Sequence, residues 1–219
     1  MPRTVMAAAL WASSDVSRWL AAEVSYPAAL ATRKLHPGDA SFIDTELPAL
    51  LKTRAPPYLT QSELSRVMRW KLRFGKMRPL QRLIDALPDA AVRSASSAAF
   101  ALLPPGLGGG DLGGALTALH KPLKGMGAAT ASAVLSAWAP ARCAFMSDAA
   151  LEAVVGAREY TNAEGVALAE RCAAKAAALG AGWTAQRVQI ALWAAATVGA
   201  AAPPPGPAEA GKKRARGAA

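Results

Sequence analysis

The chain has 219 residues and a formal net charge of +10 at pH 7, which favours a polyanionic partner or an anionic membrane surface. This length suits one domain with a sizeable core or two small lobes that share an interface. Charged residues, Gln or Pro interrupt the alanine-rich stretches, so we expect no membrane-spanning segment. Two cysteines and two histidines are too few for a zinc site, an iron–sulfur cluster or a disulfide framework. We therefore expect a protein of a reducing compartment without a metal or other cofactor.

Alanine dominates the composition and alternating apolar and polar runs are rare, which predicts an all-α fold. The N-terminal segment combines a basic residue with an apolar run, but Asp15 and Glu23 follow closely. We therefore interpret it as a helix of the mature protein and not as a signal peptide. Apolar periodicity with Gly and Pro punctuation predicts helices at residues 13–23, 41–51, 61–74, 80–87, 94–103, 111–120, 128–138, 148–155, 162–179 and 184–198.

The predicted helix at 61–74 has the clearest start and stop signals. Thr60 and Glu63 have the spacing of a capping box, in which each side chain binds a free backbone N–H group at the helix start. The helix should therefore begin at Gln61, and Gly75 is its expected C-terminal stop.

The same helix lies in a basic segment, residues 52–82, in which Glu63 is the single acid. Helical spacing places four basic residues on one face: Arg66, Arg69, Arg73 and Lys76. Lys71 and Arg78 are further candidate DNA-binding residues of the same segment. A basic face without acids repels itself, so we interpret it as a phosphate-binding surface, with a merely solvated face as the alternative. Trp70 and Tyr58 are candidates for stacking on nucleic acid.

A glycine turn between two predicted helices is the sharpest local motif. It reads Leu-Lys-Gly-Met-Gly. Gly125 and Gly127 allow a tight turn that exposes backbone N–H groups, and the next helix adds the positive end of its dipole. Lys121 and Lys124 bring charge to the same place, while Met126 should fill the core below the turn. The motif predicts an anion site suited to a nucleic-acid phosphate.

The segment Leu123-Lys-Gly-Met-Gly-Ala-Ala-Thr-Ala-Ser-Ala-Val-Leu135 is similar to the hairpin of the helix-hairpin-helix base-excision DNA glycosylase superfamily. In that superfamily a motif close to Leu-Pro-Gly-Val-Gly-x-x-Thr-Ala precedes an aspartate that opens a later helix. Thr130 matches the threonine of the motif and Asp148 stands at the place of the aspartate. The segment from Tyr58 to Pro79 resembles a divergent eukaryotic branch of the superfamily. The resemblance implies a two-lobed helical glycosylase-like domain over residues 1–200, with the helix-hairpin-helix element at 116–138.

The resemblance also implies that Asp148 is catalytic, because a carboxylate offsets the positive charge that builds on the sugar as the base departs. Capping of its own helix is the alternative role for Asp148. Ala129 stands where the strand-cutting branches carry a Schiff-base lysine, which implies a monofunctional glycosylase. The expected partner is double-stranded DNA with the target nucleotide flipped out, bound by a monomer. A non-catalytic helix-hairpin-helix DNA-binding protein is the alternative function.

Residues 201–219 combine Pro, Gly, Ala and charge without apolar periodicity, which predicts a disordered basic tail. Its basic cluster, Lys212, Lys213, Arg214 and Arg216, is typical of a nuclear-import signal, and we expect a nuclear protein. A solvated charged tail is the alternative.

Overall fold

The computed structural model describes residues 3–33, 37–74, 79–106 and 109–198. The described residues form helices and turns, and no strand occurs among them, which confirms the all-α class. The N-terminal part contains α1 Arg3–Trp11, α2 Val16–Val24, α3 Tyr26–Ala31, α4 Pro37–Ser41, a π-helical segment Phe42–Glu46, α5 Leu47–Thr53 and α6 Gln61–Lys71. The remainder contains α7 Gln81–Asp85, α8 Asp89–Leu102, α9 Leu112–His120, α10 Ala128–Trp138, α11 Asp148–Ala150, a π-helical segment Leu151–Val155, α12 Asn162–Leu179 and α13 Ala185–Val198.

Helix starts with a strong local signal lie where the sequence predicts them. At α6, the Thr60 side chain accepts a hydrogen bond from the Glu63 N–H group while the Glu63 carboxylate accepts one from Thr60 N, so the capping box is confirmed. A second capping box, formed by Thr161 and Glu164, begins α12. The bounds of α10 and α12 coincide with the predicted ranges 128–138 and 162–179.

Other bounds differ from the prediction for local reasons. α8 begins at Asp89, earlier than the predicted residue 94, because Pro88 supplies the extended cap conformation. The sequence does not predict α3, which has Pro27 in its first turn, where the missing N–H group costs nothing. α6 ends at Lys71 instead of residue 74, and the expected stop Gly75 lies outside the described residues.

Helix α10 lies at the centre of the fold. All eleven of its residues are buried, as expected for a helix without charged residues that is made mostly of small and apolar side chains. Its inner residues belong to a cluster with Leu64, Trp70 and Phe100. Ala128 and Ala129, at its start, belong to a second cluster built from α1, α2, α12 and α13. The two clusters therefore meet along one helix.

None of the described helices is long and apolar enough to cross a membrane. Within the same ranges, no group of His, Cys, Asp or Glu side chains is placed to hold a metal ion. Both cysteines are buried, and burial raises the pKa of the Cys143 and Cys172 thiols. Thiols of this kind stay protonated at neutral pH and are poor nucleophiles.

The start of α6 also carries a partly buried ion pair. Arg54 donates to both carboxylate oxygens of Glu63, with Nη1–Oε2 at 2.9 Å and Nη2–Oε1 at 2.6 Å. Burial by itself raises the pKa of Glu63, but the hydrogen bonds from Arg54 and Thr60 outweigh it and the net pKa is lowered. The ionised form of Glu63 is therefore the one that stabilises the fold.

We expect Glu63→Gln to lower the free energy of unfolding by about 1–3 kcal/mol, because it leaves the guanidinium of Arg54 without its charged partner. Since the folded pKa is lowered, this contribution is present above the unfolded pKa of about 4.3 and is lost as the pH falls. Urea unfolding at pH 7 and pH 3.5 would measure both effects.

Glu46→Gln is the matched control, because Glu46 is exposed and lies 3.6 Å from Arg66. Exposed pairs contribute about 0–1 kcal/mol. An equal loss of stability in the two variants would contradict the special role of the α6 cap.

Candidate functional site

Hydrogen bonds from two helices hold the segment that precedes α11. The Met146 N–H group donates to Ser132 Oγ on α10 at 3.0 Å, and the Phe145 N–H group donates to Gln186 Oε1 on α13 at 2.9 Å. Gln189 Nε2, also on α13, donates to Ser147 Oγ at 2.9 Å. The backbone on the N-terminal side of Asp148 is therefore fixed between α10 and α13.

Asp148 is the first residue of α11, but it is not the cap. Ser147 is the N-cap, and its side chain accepts a hydrogen bond from Ala150 N. The carboxylate of Asp148 instead accepts a hydrogen bond from the Tyr160 hydroxyl at Oδ1 and lies 3.4 Å from Arg158 Nη1 at Oδ2. Its side chain is 38% exposed, so it can reach a bound molecule. Simple helix capping does not account for this aspartate.

The carboxylate lines a cleft of about 550 Å³, which is within the usual 300–1,000 Å³ range of small-molecule sites. Three chain segments form most of its wall: the start of α10, the segment before α11, and the loop before α12. The end of α6 and the residues near α7 complete it. The lining residues are Lys71, Leu72, Phe74, Leu80, Gly127, Ala128, Ala129, Thr130, Phe145, Met146, Ser147, Asp148, Arg158, Glu159 and Tyr160.

The start of α10 contributes polar groups to this wall. Gly127 caps the helix in extended conformation without a side-chain hydrogen bond, and the first N–H groups of a helix have no partner within it. The Thr130 hydroxyl is buried and makes no hydrogen bond with any described residue. This combination can bind an anion or a hydrogen-bond acceptor.

The two glycines of the turn have different roles. Gly125 has φ +88°, and a Cβ there would lie 2.7 Å from Leu83 Cβ. Gly127 has φ −125°, and a Cβ there would have no neighbouring atom within 4 Å. Only Gly125 therefore needs glycine for the turn itself, which corrects the expectation that both glycines do. Met126 is buried below the turn, as predicted.

Lys121 and Lys124 are exposed at the turn, where they can contact a polyanion. Arg73 is also exposed, beyond the end of α6. Lys71 lines the cleft. The remaining basic candidates, Lys76 and Arg78, lie outside the described residues.

Two arginines of the predicted basic face contact acidic residues. Arg66 pairs with Glu46 at 3.6 Å, and its guanidinium lies over the Phe42 ring at 3.7 Å. Arg69 lies 3.9 Å from Asp39. The expectation of an acid-free face is therefore wrong, because the helices before α6 supply the acids. Ion pairing within the protein weakens the case for Arg66 and Arg69 as phosphate ligands.

Trp70 does not face solvent. It is 1% exposed and packs against Phe74 and Phe145, with ring centroids 4.2 Å and 5.1 Å away. The expectation that it stacks on nucleic acid is wrong in this structure. Tyr58 is half-buried, and the guanidiniums of Arg54 and Arg93 lie 4.6 Å and 4.3 Å from its ring centroid.

The sequence reasoning missed the loop before α12. Its Tyr160 has φ +60°, in the left-handed region that tyrosine rarely adopts, at a cost of about 1–3 kcal/mol. Hydrogen bonds to the Glu164 carboxylate come from the N–H groups of Glu159 at 3.0 Å and Thr161 at 2.8 Å. The signal available in the sequence was the second Thr-x-x-Glu capping box, directly after Tyr160.

Comparisons of the chain with protein-family models, with curated proteins and with solved structures found no match.

We expect Gly125→Ala to destabilise the protein by about 2–4 kcal/mol, from the left-handed backbone and the contact with Leu83. Gly127→Ala should change the stability by less than about 1 kcal/mol, because its backbone is extended and its surroundings are open. Thermal unfolding of both variants beside the wild type measures the contrast. Equal destabilisation by the two substitutions would show that the turn is built differently.

Proposed function

We propose that this protein is a monofunctional DNA glycosylase that hydrolyses the N-glycosidic bond of a damaged or modified base in double-stranded DNA. The observation that carries the proposal is the position of Asp148, whose partly exposed carboxylate shares a cleft with the start of α10. The proposal includes a helix-hairpin-helix role for α9, the glycine turn and α10. It also includes action as a monomer in the nucleus.

The cleft is suited to a flipped nucleotide. Phe145 and Tyr160 provide aromatic surface, and Leu72 and Leu80 add apolar surface, which are the groups that hold an extruded base. Base departure leaves positive charge on the sugar, and an ionised carboxylate beside it lowers the energy of that state. Asp148 would supply the carboxylate and help orient the attacking water.

Arg158 lies close enough to Asp148 to affect this chemistry. Its Nη1 is 2.7 Å from Glu152 Oε1 and 3.4 Å from Asp148 Oδ2. The shorter contact is with Glu152, so that residue takes a share of the arginine charge. Asp148 thus has a positive neighbour without being closed off from the cleft.

The turn side of the cleft would hold the DNA backbone. Lys121 and Lys124 are exposed in the turn that leads to α10, and the N–H groups and dipole at the start of α10 favour a phosphate. Such contacts position a duplex without reading its sequence. Binding should therefore be strongly salt-dependent and nearly independent of sequence.

We expect Lys121→Ala with Lys124→Ala to weaken duplex binding equally for all sequences. The slope of log K against log salt should flatten by about 0.9 per lost phosphate contact. Fluorescence anisotropy over a salt series measures the slope. Arg18→Ala, an exposed change on α2 that removes one positive charge away from the turn, is the control and should leave binding near the wild-type value. A double variant with the wild-type slope would remove the turn from the DNA interface.

The enzyme proposal is tested with duplexes that carry different lesions, treated with alkali after incubation to reveal abasic sites. We expect Asp148→Asn to retain DNA affinity and lose about 10²–10³-fold in excision rate, because an amide cannot offset the charge on the sugar. Ala129 stands at the place of a Schiff-base lysine, so borohydride should trap no covalent adduct.

Three results would contradict this assignment. A trapped adduct would show lyase chemistry, and full excision by Asp148→Asn would remove the carboxylate from the mechanism. Absence of excision by the wild type on every lesion, with tighter DNA binding by Asp148→Asn, would favour the non-catalytic DNA-binding protein, since a carboxylate facing phosphates costs affinity.

A further inference from the structure

We propose that Tyr160 is a positioning residue for the Asp148 carboxylate, and that Glu164 fixes Tyr160 from the opposite side. This inference rests on the proposed glycosylase function and adds residues that the hairpin motif does not include. The structural observation is a continuous set of hydrogen bonds from the α12 cap, through the loop, to the carboxylate in the cleft.

The first part of the set is the Glu164 carboxylate. One of its oxygens accepts a hydrogen bond from Glu159 N and the other accepts one from Thr161 N. These backbone hydrogen bonds, with that of Tyr160 between them, hold the pKa of Glu164 below its usual range. Consecutive N–H groups can converge on one anion when a left-handed residue lies among them. The left-handed Tyr160 therefore follows from the way Glu164 binds this loop.

The second part is the contact between Tyr160 and Asp148. The Tyr160 hydroxyl donates to Oδ1, while Oδ2 faces Arg158. Without the hydroxyl, the carboxylate would keep, among the described residues, only the 3.4 Å contact between Oδ2 and Arg158 Nη1, because the helix cap is provided by Ser147. The hydroxyl thus fixes the orientation of the carboxylate toward the cleft.

A double-mutant cycle separates positioning from general structural support. Tyr160→Phe retains the ring and removes only the hydroxyl. If Tyr160 acts through Asp148, loss of the hydroxyl should lower kcat about tenfold, as for a hydrogen bond to a charged group. DNA affinity should change little. In the Asp148→Asn background the same substitution should have no further effect.

A binding experiment gives a readout without excision. The probes are one duplex with a cationic pyrrolidine abasic-site analogue and one with a neutral tetrahydrofuran analogue, compared by their Kd ratio. A well-placed carboxylate favours the cation, so the wild type should prefer the pyrrolidine by at least about tenfold. Asp148→Asn should lose this preference and Tyr160→Phe should reduce it.

Tyr26→Phe is the matched control, because the Tyr26 hydroxyl lies 3.5 Å from a carboxylate oxygen of Asp44 outside the cleft. It should leave both kcat and the Kd ratio unchanged. Thermal unfolding of each variant verifies that it folds.

The outcomes distinguish the two proposals. Two results would overturn the positioning role and leave the glycosylase intact. The first is a cation preference in Tyr160→Phe equal to that of the wild type. The second is an equal loss of kcat from Tyr160→Phe in the wild-type and Asp148→Asn backgrounds. A wild type with neither excision nor cation preference would overturn the glycosylase, and the positioning role with it.

Discussion

Because every residue of α10 is buried, this helix has to be surrounded by neighbours, and only small side chains let several helices approach one axis closely. Its alanines and serines meet this condition. Burial also requires its polar groups to find partners, and Ser132 Oγ does so by accepting a hydrogen bond from Met146 N. That hydrogen bond ties the segment before Asp148 to the centre of the fold. The packing of one helix thus sets the position of the cleft wall.

The predictable part of the fold is the part encoded by local signals. The capping box at Thr60 and the glycine turn before α10 depend on neighbours in the sequence, and the structure places both helix starts as predicted. The π-helical segments Phe42–Glu46 and Leu151–Val155 have no comparable signal. Their residues continue the apolar periodicity of a helix, and the wider turn depends on how the segment packs.

The candidate site was predictable where its chemistry lies on a motif. The position of Asp148 in the chain after the glycine turn made it a candidate, and the structure places Gly127 and Asp148 in the wall of one cleft. The basic face of α6 was less predictable, because Asp39 and Glu46 approach it only in the folded chain. The burial of Trp70 is not predictable from the sequence, because helical periodicity locates the buried face of α6 but does not show how wide that face is. Tyr160 lies in an irregular loop, where periodicity gives no information.

Under the proposed function, the charges around the cleft would suit a substrate whose charge changes during reaction. A bound duplex brings phosphates, which suit Lys121, Lys124 and the positive end of α10. A departing base then creates positive charge at the sugar, which suits a carboxylate that the ground state does not need. Surfaces that only bind DNA gain nothing from such a group, whereas catalysis depends on interactions that strengthen in the transition state. The hydrogen bond from the Tyr160 hydroxyl to Asp148 would serve this role under the proposed function, whereas the left-handed backbone of Tyr160 follows from the hydrogen bonds that its loop makes with Glu164.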